Sequence, residues 1–464
     1  MADDLDPDDG DRYRHAAAEP DEGREELSQD TIWAWATPPG RSALAVLRIS
    51  GPAVGNVLHA LGVRVLPAPR RASLARLVDP ADGQPIDQAI VLRFPAPASF
   101  TGEDLVEIQH HGGLGVRRML ANVLAHMPSL RPAEAGEFTR RAFLAGKLGL
   151  SEVAGLGDLV DATTARAARH ALLRLEGEVS RQVEAWSDQL LGLRAEIEAD
   201  LDFAADQADV TAGALGRAGP RLELLRDQLR KAVQSAGAAT RLREGFVVAV
   251  TGRPNVGKSS LVNLLAGREV AIVTERPGTT RDPIEVELDL NGLPVTLIDT
   301  AGLRETDDPI EQEGIRRARE KAAGADLVIE LVDARDMPPA VVDCPNHLIV
   351  VNKADLVPDR WAMLAISCRT GTGIDELLAA IAARLDKDLP AELGAVPADA
   401  RGQAAVSQAL EAVEQALAAL PLAEPVLVAE ELRAAALALA RLTGLGGDPE
   451  DVLSAIFARF CIGK

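Results

Sequence analysis

The octapeptide GRPNVGKS, residues 252–259, follows the apolar run FVVAV and precedes SLVNLLAG, whose apolar residues recur at helical spacing. Gly-x4-Gly-Lys-Ser between a buried strand and a helix commits this part of the chain to a parallel α/β sheet with a phosphate-binding loop. Glycines let backbone N–H groups close on phosphate oxygens. Lys258 carries a cation to the outer phosphates, and the Ser259 hydroxyl reaches Mg²⁺. Asn255, Val256, Gly257 and Ser260 complete the loop and the first turn of the helix.

Four further segments follow in order, most of them after a short buried strand. PGTTRD, 277–282, offers Thr280 as a second Mg²⁺ ligand. VTLIDT ends in Asp299-Thr300-Ala301-Gly302, with Asp299 at the Mg²⁺ shell and the Gly302 N–H at the terminal phosphate. HLIVV leads into NKAD, where the Asp355 carboxylate accepts the ring N–H and exocyclic amine of guanine, a donor pair that adenine lacks. Asn352 and Lys353 steady that loop, and Ser367-Cys368-Arg369 lies behind the guanine carbonyl. The set specifies a GTPase. In the Ras-like and Gα switches a glutamine follows the Asp-x-x-Gly motif and orients water. Here that place is Leu303. Asn255, holding a monovalent cation with backbone carbonyls, and Glu311, in the acidic stretch beyond, are the candidates to replace it.

The rest of the chain is organised around this unit. Its 464 residues allow two to four domains, and 47% apolar content excludes wholesale disorder. The net charge of −21 argues against bulk attraction to phosphate backbones. Residues 1–30 hold twelve acids and three arginines and read as a disordered acidic tail. Three scattered cysteines, no signal-peptide pattern and no 18-residue apolar run indicate a cytoplasmic protein without a membrane span. Residues 31–150 alternate apolar runs with turn signals, a mixed α/β domain. Residues 151–243 turn to Ala, Leu, Glu and Arg. From Leu172 the positions Leu175, Val179, Val183, Trp186, Leu190, Leu193, Ile197 and Leu201 form one stripe, predicting a helix of about eight turns. Residues 244–387 are the nucleotide-binding unit. Residues 388–464 are helical again, closing in a capped helix from Asp448 to the FCIGK terminus. The fold class is multidomain, α/β plus all-α, with the P-loop unit inserted in one helical domain built from both flanks.

FCIGK at 460–464, the GTPase insertion and SFTGEDLVEIQHHGG at 99–113 together resemble the tRNA-modifying GTPase family called MnmE or TrmE. ATPPGRSALAVLRISG (36–51), GEFTRRAFLAGK (136–147), LREG before the first GTPase strand and AEELRAAALALARLTG (429–444) extend the resemblance from about Thr31 to Lys464. It implies a homodimer whose N-terminal domain binds 5,10-methylenetetrahydrofolate, with 5-formyltetrahydrofolate as an analogue. Arg48, Glu107, Lys147 and Lys464 match the folate contacts. It implies K⁺ at Asn255, Thr274, Arg276 and Thr279, water positioning by Glu311, and hydrolysis upon encounter of two GTPase domains across the dimer.

The implied output is an aminomethyl or carboxymethylaminomethyl group on carbon five of the tRNA wobble uridine. It is made as a heterotetramer with the FAD-dependent protein MnmG. Cys461 matches the family's terminal cysteine, as nucleophile, acid–base group or structural thiol; the sequence does not choose. His110, Ala135 and Gly149 depart from the family pattern around the folate pocket. A ribosome-assembly GTPase is the rival reading, opposed by the lack of a basic RNA-binding module and by the FCIGK ending. A membrane-remodelling GTPase is opposed by mixed charge along the long stripe.

Overall fold

The computed structural model describes residues 30–203, 211–268, 270–272, 285–299, 323–336, 346–357, 363–387, 389, 396–422, 424–443 and 463. The chain divides into two compact units, Met1–Gly157 with Thr443–Lys464, and Asp158–Leu442. The sequence reading groups 388–464 with the helices, whereas packing assigns the terminal stretch to the first unit. One physical reason is visible at Gly463, a buried residue with φ +106°. A β-carbon there would lie 2.1 Å from the Trp35 carbonyl oxygen, so only glycine fits against the end of the first strand.

The first unit is a six-stranded sheet built from β1 (Thr31–Trp35), β2 (Leu44–Ser50), β3 (Ser73–Val78), β4 (Pro85–Phe94), β5 (Leu105–His111) and β6 (Leu130–Pro132), in the order β3-β4-β5-β2-β1-β6. Alternation along β2 and β5 sends Leu47, Ile49, Val106 and Ile108 to one face. There α1 (Val54–Ala60) and α2 (Leu114–Ala125) bury them with Leu58, Leu120 and Leu124. On the other side Ile32, Ala34 and Ala133 cluster with Phe138 of α3 (Glu137–Leu144). The unit boundary falls inside α4 (Leu150–Asp161).

In the second unit the expected helix through Leu172–Leu201 is two helices, α5 (Ala165–Leu175) and α6 (Glu178–Phe203). Gly177, at φ +78°, donates its N–H to the Arg174 carbonyl and ends α5. The break rotates the stripe out of register, so Leu172 is exposed while Val179, Val183, Trp186, Leu190, Leu193 and Ile197 are buried. Their partners are Leu222, Leu225 and Leu229 of α7 (Thr211–Glu244). Helices beyond the nucleotide-binding unit supply the rest of that core, including Val406, Val413, Leu432 and Leu439. Neither flank closes a core alone. Trp186 is core, and its indole N–H donates to Gln228 at 3.1 Å.

Between the flanks lie β7 (Phe246–Gly252), α8 (Lys258–Ala266), β8 (Glu285–Leu290), β9 (Leu293–Asp299), β10 (Leu327–Asp333), β11 (His347–Asn352) and α9 (Ile374–Asp386). The later bundle helices are α10 (Ala400–Ala419) and α11 (Pro425–Thr443). The sheet order is β11-β10-β7-β9-β8; β7 pairs parallel with both β9 and β10, and β8 closes the edge antiparallel. Chain order reverses direction at β7, which opens a crevice at the carboxyl ends of the strands, where α/β sheets bind ligands. Among the described residues no helix is long and apolar enough to cross a membrane.

Candidate functional site

The loop after β7 is shaped by two glycines that no other residue can replace without moving backbone or a buried amide. Gly252, at φ +135°, would place a β-carbon 2.4 Å from the Leu331 carbonyl oxygen; Gly257, at φ +104°, would place one 2.2 Å from Asn352 Nδ2. Such a cradle leaves room for phosphate oxygens at the amino end of α8, whose first N–H groups have no helical acceptor. The Lys258 ammonium is buried at the loop's centre, donating to the carbonyls of Gly252 at 2.9 Å and Arg253 at 3.0 Å. Ser259 Oγ donates to Asp299 Oδ2 at 2.6 Å. A hydroxyl and a carboxylate in contact at the mouth of a phosphate loop suit Mg²⁺, which takes few protein oxygens and fills its octahedron with water and phosphate. Val256 is buried beneath the loop, and Ser260 follows on the first turn of α8.

The base-side loop is tied to this cradle. Asn352 Nδ2 donates to the Val256 carbonyl at 2.7 Å, and its Oδ1 accepts the N–H groups of Lys353 at 2.8 Å and Cys368 at 3.3 Å. Lys353, at φ +64°, donates from Nζ to the Asn255 carbonyl at 2.6 Å. The Asp355 carboxylate accepts Ser367 Oγ at 2.7 Å and pairs with Arg369 at 3.3 Å. Ser367 also turns its own loop, accepting from Thr370 N–H at its hydroxyl and from Gly371 N–H at its carbonyl. Burial pushes the half-buried Cys368 thiol above its usual range, so it sits here as a neutral group.

All the described members of the expected nucleotide set therefore converge on one crevice: Asn255 to Ser260 and Asp299 on the phosphate side, Asn352, Lys353, Asp355 and Ser367 to Arg369 on the base side. Thr274, Arg276, Thr279, Thr280, Thr300, Ala301, Gly302, Leu303 and Glu311 lie outside the described residues, as do Cys461 and Lys464. Of the four residues expected around K⁺, only Asn255 is described, with φ +63°.

In the first unit Arg48 and Glu107 are direct cross-strand partners and pair at 2.7 Å, each one-fifth exposed. Arg48 lies over the rings of Phe100 at 5.6 Å and Phe138 at 5.7 Å. Among the described residues both of its hydrogen bonds end on Oε1 of Glu107, and Oε2 accepts none, which suits a donor pair such as a pterin's. The stem of Lys147 borders Gly102 in the TGED turn. Register sets Ala34 opposite Arg48, and the Gly463 turn meets the next residues of the same strand, Trp35 and Ala36.

Sequence reasoning missed three features. Asp333, at the end of β10, holds Lys353 and Arg335; the VDAR tetrapeptide was the available signal. Gly463 carries the docking of the terminus. Arg141, 4% exposed, is a charged hub joined to Asp30, Glu103 and Glu137, with Arg131 also on Asp30 and Glu137. These partners hold the Glu137 carboxyl below its usual range despite burial, which alone would raise it.

Comparison with known proteins covers most of the chain. The MnmE helical domain family matches residues 150–461, and the family described as GTP-binding protein TrmE N-terminus matches residues 31–147. The tRNA modification GTPase MnmE of Parvibaculum lavamentivorans is 45% identical over 94% of this chain and 100% of its own length. That of Methylorubrum populi is 47% identical over 94% of this chain and 99% of its own length. The human mitochondrial 5-taurinomethyluridine-[tRNA] synthase subunit GTPB3 is 44% identical over 94% of this chain and 93% of its own length.

Proposed function

Since the chain belongs to the MnmE (TrmE) family of tRNA modification GTPases, we propose that it hydrolyses GTP to drive modification of carbon five of the tRNA wobble uridine. The observation that carries this reading is the closed set of contacts Ser259–Asp299, Asn352–Val256 and Ser367–Asp355. It brings into one crevice the residues that this reading assigns to phosphate, Mg²⁺ and guanine. GTP lies with its phosphates over Gly257, Lys258 and Ser259 and its base on Asp355. Ser259 and Thr280, with Asp299, would hold Mg²⁺, which would supply neutralisation of phosphate charge.

Leu303 cannot orient water. Glu311 takes that task, and Asn255 with Thr274, Arg276 and Thr279 holds K⁺ where an arginine finger would otherwise act. Two copies meet through their N-terminal domains and, in the active state, through their GTPase domains. Arg48, Glu107, Lys147 and Lys464 would bind methylenetetrahydrofolate, which would supply the one-carbon unit, with the FAD-dependent MnmG as partner. Support comes from the Arg48–Glu107 pair, whose Oε2 accepts no hydrogen bond among the described residues, and from the terminal turn against the neighbouring strand at Trp35. The site of action is the cytoplasm.

The test is nucleoside mass spectrometry of bulk tRNA from cells lacking the gene, rescued with the intact protein or with Asn255→Ala. Five-substituted wobble uridines disappear on deletion and return only with the intact protein. Unchanged nucleosides after deletion would sink the proposal and direct attention to ribosomal particles.

A further inference from the structure

Asp333 stands at the carboxyl end of β10, between the two loops of the crevice, and belongs to none of the nucleotide motifs. Its carboxylate is 8% exposed and carries two cations. Arg335 approaches it with a backbone N–H at 3.0 Å, Nε at 2.9 Å and Nη2 at 2.6 Å, and Lys353 Nζ donates to Oδ2 at 2.7 Å. The same Nζ donates to the Asn255 carbonyl at 2.6 Å. Arg335 and Lys353 together hold the carboxyl well below the usual carboxylate range, so it is charged at neutral pH.

The two residues at the far ends of this chain are the unusual ones. Asn255 and Lys353 both have left-handed backbone, at φ +63° and +64°, without being glycine. Such conformations persist where neighbouring contacts over-determine them. One ammonium, held by Asp333, supplies a contact to both loops at once. We propose that Asp333 is a positioning residue of the nucleotide site: it fixes the Lys353 ammonium, which clamps the guanine-binding loop to the phosphate loop at Asn255. The inference rests on the guanine-nucleotide reading above. An alternative in which Asp333 merely neutralises Arg335 accounts poorly for the geometry. Arg335 is 60% exposed, and exposed pairs contribute little, whereas Lys353 bridges two loops.

The experiment measures release of a fluorescent GDP analogue from the full-length protein after mixing with excess GDP. Asp333→Asn keeps the shape and removes the charge; release accelerates about tenfold, as expected for loss of a charge-assisted bond. Lys353→Met also accelerates release, and the double variant stays within about twofold of Lys353→Met alone, because both act through one contact. Asp333→Glu returns release to within about threefold of the natural protein, and Arg335→Ala stays within the same range. Unchanged release from Asp333→Asn overturns the inference, as does its full effect persisting in the Lys353→Met background. Loss of the folded circular-dichroism spectrum in Asp333→Asn also overturns it, by making the carboxylate a structural member of the sheet. A natural protein that retains no GDP analogue overturns instead the reading beneath.

Discussion

Thr164 joins the helical bundle to the nucleotide-binding sheet: its hydroxyl donates to the Gly292 carbonyl at 2.8 Å while its oxygen accepts the Ala167 N–H at 3.3 Å. One side chain thus caps α5 and holds the tip of the β8–β9 hairpin. That tip is the dipeptide Asn291–Gly292, with φ +56° and +86°, a pairing suited to the twist of a tight hairpin. From it β9 runs straight to Asp299, the carboxylate beside Ser259. Thr164→Ala removes cap and latch together and lowers stability by about 1–2 kcal/mol. Thr164→Ser keeps the oxygen and stays near the natural protein. Thermal unfolding of both variants checks this; equal loss from the two would show that the methyl group, not the oxygen, matters.

Two glycines give opposite results when changed to alanine. At Gly252 the new β-carbon meets the Leu331 backbone carbonyl at 2.4 Å in a conformation that side chains avoid. Since β7 and β10 are paired there, the strands must separate, with a loss of more than about 2 kcal/mol and of GDP binding. At Gly237, within α7, nothing lies within 4 Å of the added carbon. Gly237→Ala stabilises by about 0.5–1 kcal/mol through helix propensity. Denaturation with parallel nucleotide titration separates the two, and stable, GDP-binding Gly252→Ala would refute the packing argument.

Base choice follows from the Asp355 carboxylate. Asp355→Asn replaces an acceptor with an amide donor facing the guanine amine position, while Ser367 still reaches the remaining oxygen. GTP affinity falls by at least about a hundredfold, and xanthosine triphosphate, which carries an oxygen where guanine has its amine, becomes the better ligand. Competition binding with the two nucleotides reads the ratio directly; retained preference for GTP would remove Asp355 from base recognition.

The nucleotide crevice was legible in the sequence because each of its loops is a short continuous run, and burial of the adjacent strands forces those runs to one edge. The pairing of α6 and α7 with α10 and α11 was legible too, because neither flank carries enough apolar surface to close alone. Gly177 was not read as a break, since glycine inside a periodic stripe is tolerated and only its left-handed φ reveals the stop. The Arg141 hub escaped for a different reason. Glu137 is a helical neighbour at i,i+4, but Asp30 and Glu103 lie 111 and 38 residues before Arg141, and charged residues at such distances carry no periodic signal.

His110 makes the first unit sensitive to mild acid. The ring is 1% exposed, packs edge-on against Trp35 at 5.2 Å, and has Nδ1 2.8 Å from the His111 carbonyl, so Nδ1 carries the proton. Nε2 is buried with no hydrogen-bond partner among the described residues. Burial lowers the pKa below the ordinary 6.5; the nearby charges of Arg117 and His111 push the same way, and the His111 carbonyl and Asp87 oppose them. Below pH 6.5 the unfolded chain therefore takes up a proton that the folded chain resists. The stability contribution is complete above that value and is lost as pH falls through it toward the depressed folded pKa. His110→Phe flattens the decline below pH 6.5. Melting temperatures of both proteins across this range decide the matter, and parallel curves would contradict it.

The last relationship concerns the terminus. Gly463 is buried against Trp35 and Ala36, and any β-carbon would sit 2.1 Å from the Trp35 carbonyl oxygen, a main-chain atom that cannot swing aside as a side chain would. Gly463→Ala therefore lifts the terminal turn off the sheet and leaves the crevice formed by β7, α8 and β11 intact. On the proposed function, GTP hydrolysis continues within about twofold while wobble-uridine modification falls by at least about tenfold, a loss comparable to that of a displaced catalytic group. Both readouts come from one rescued strain and its purified protein. Full modification by Gly463→Ala would mean that the terminal segment acts without being docked at Trp35. Loss of hydrolysis together with modification would mean that docking supports the GTPase itself.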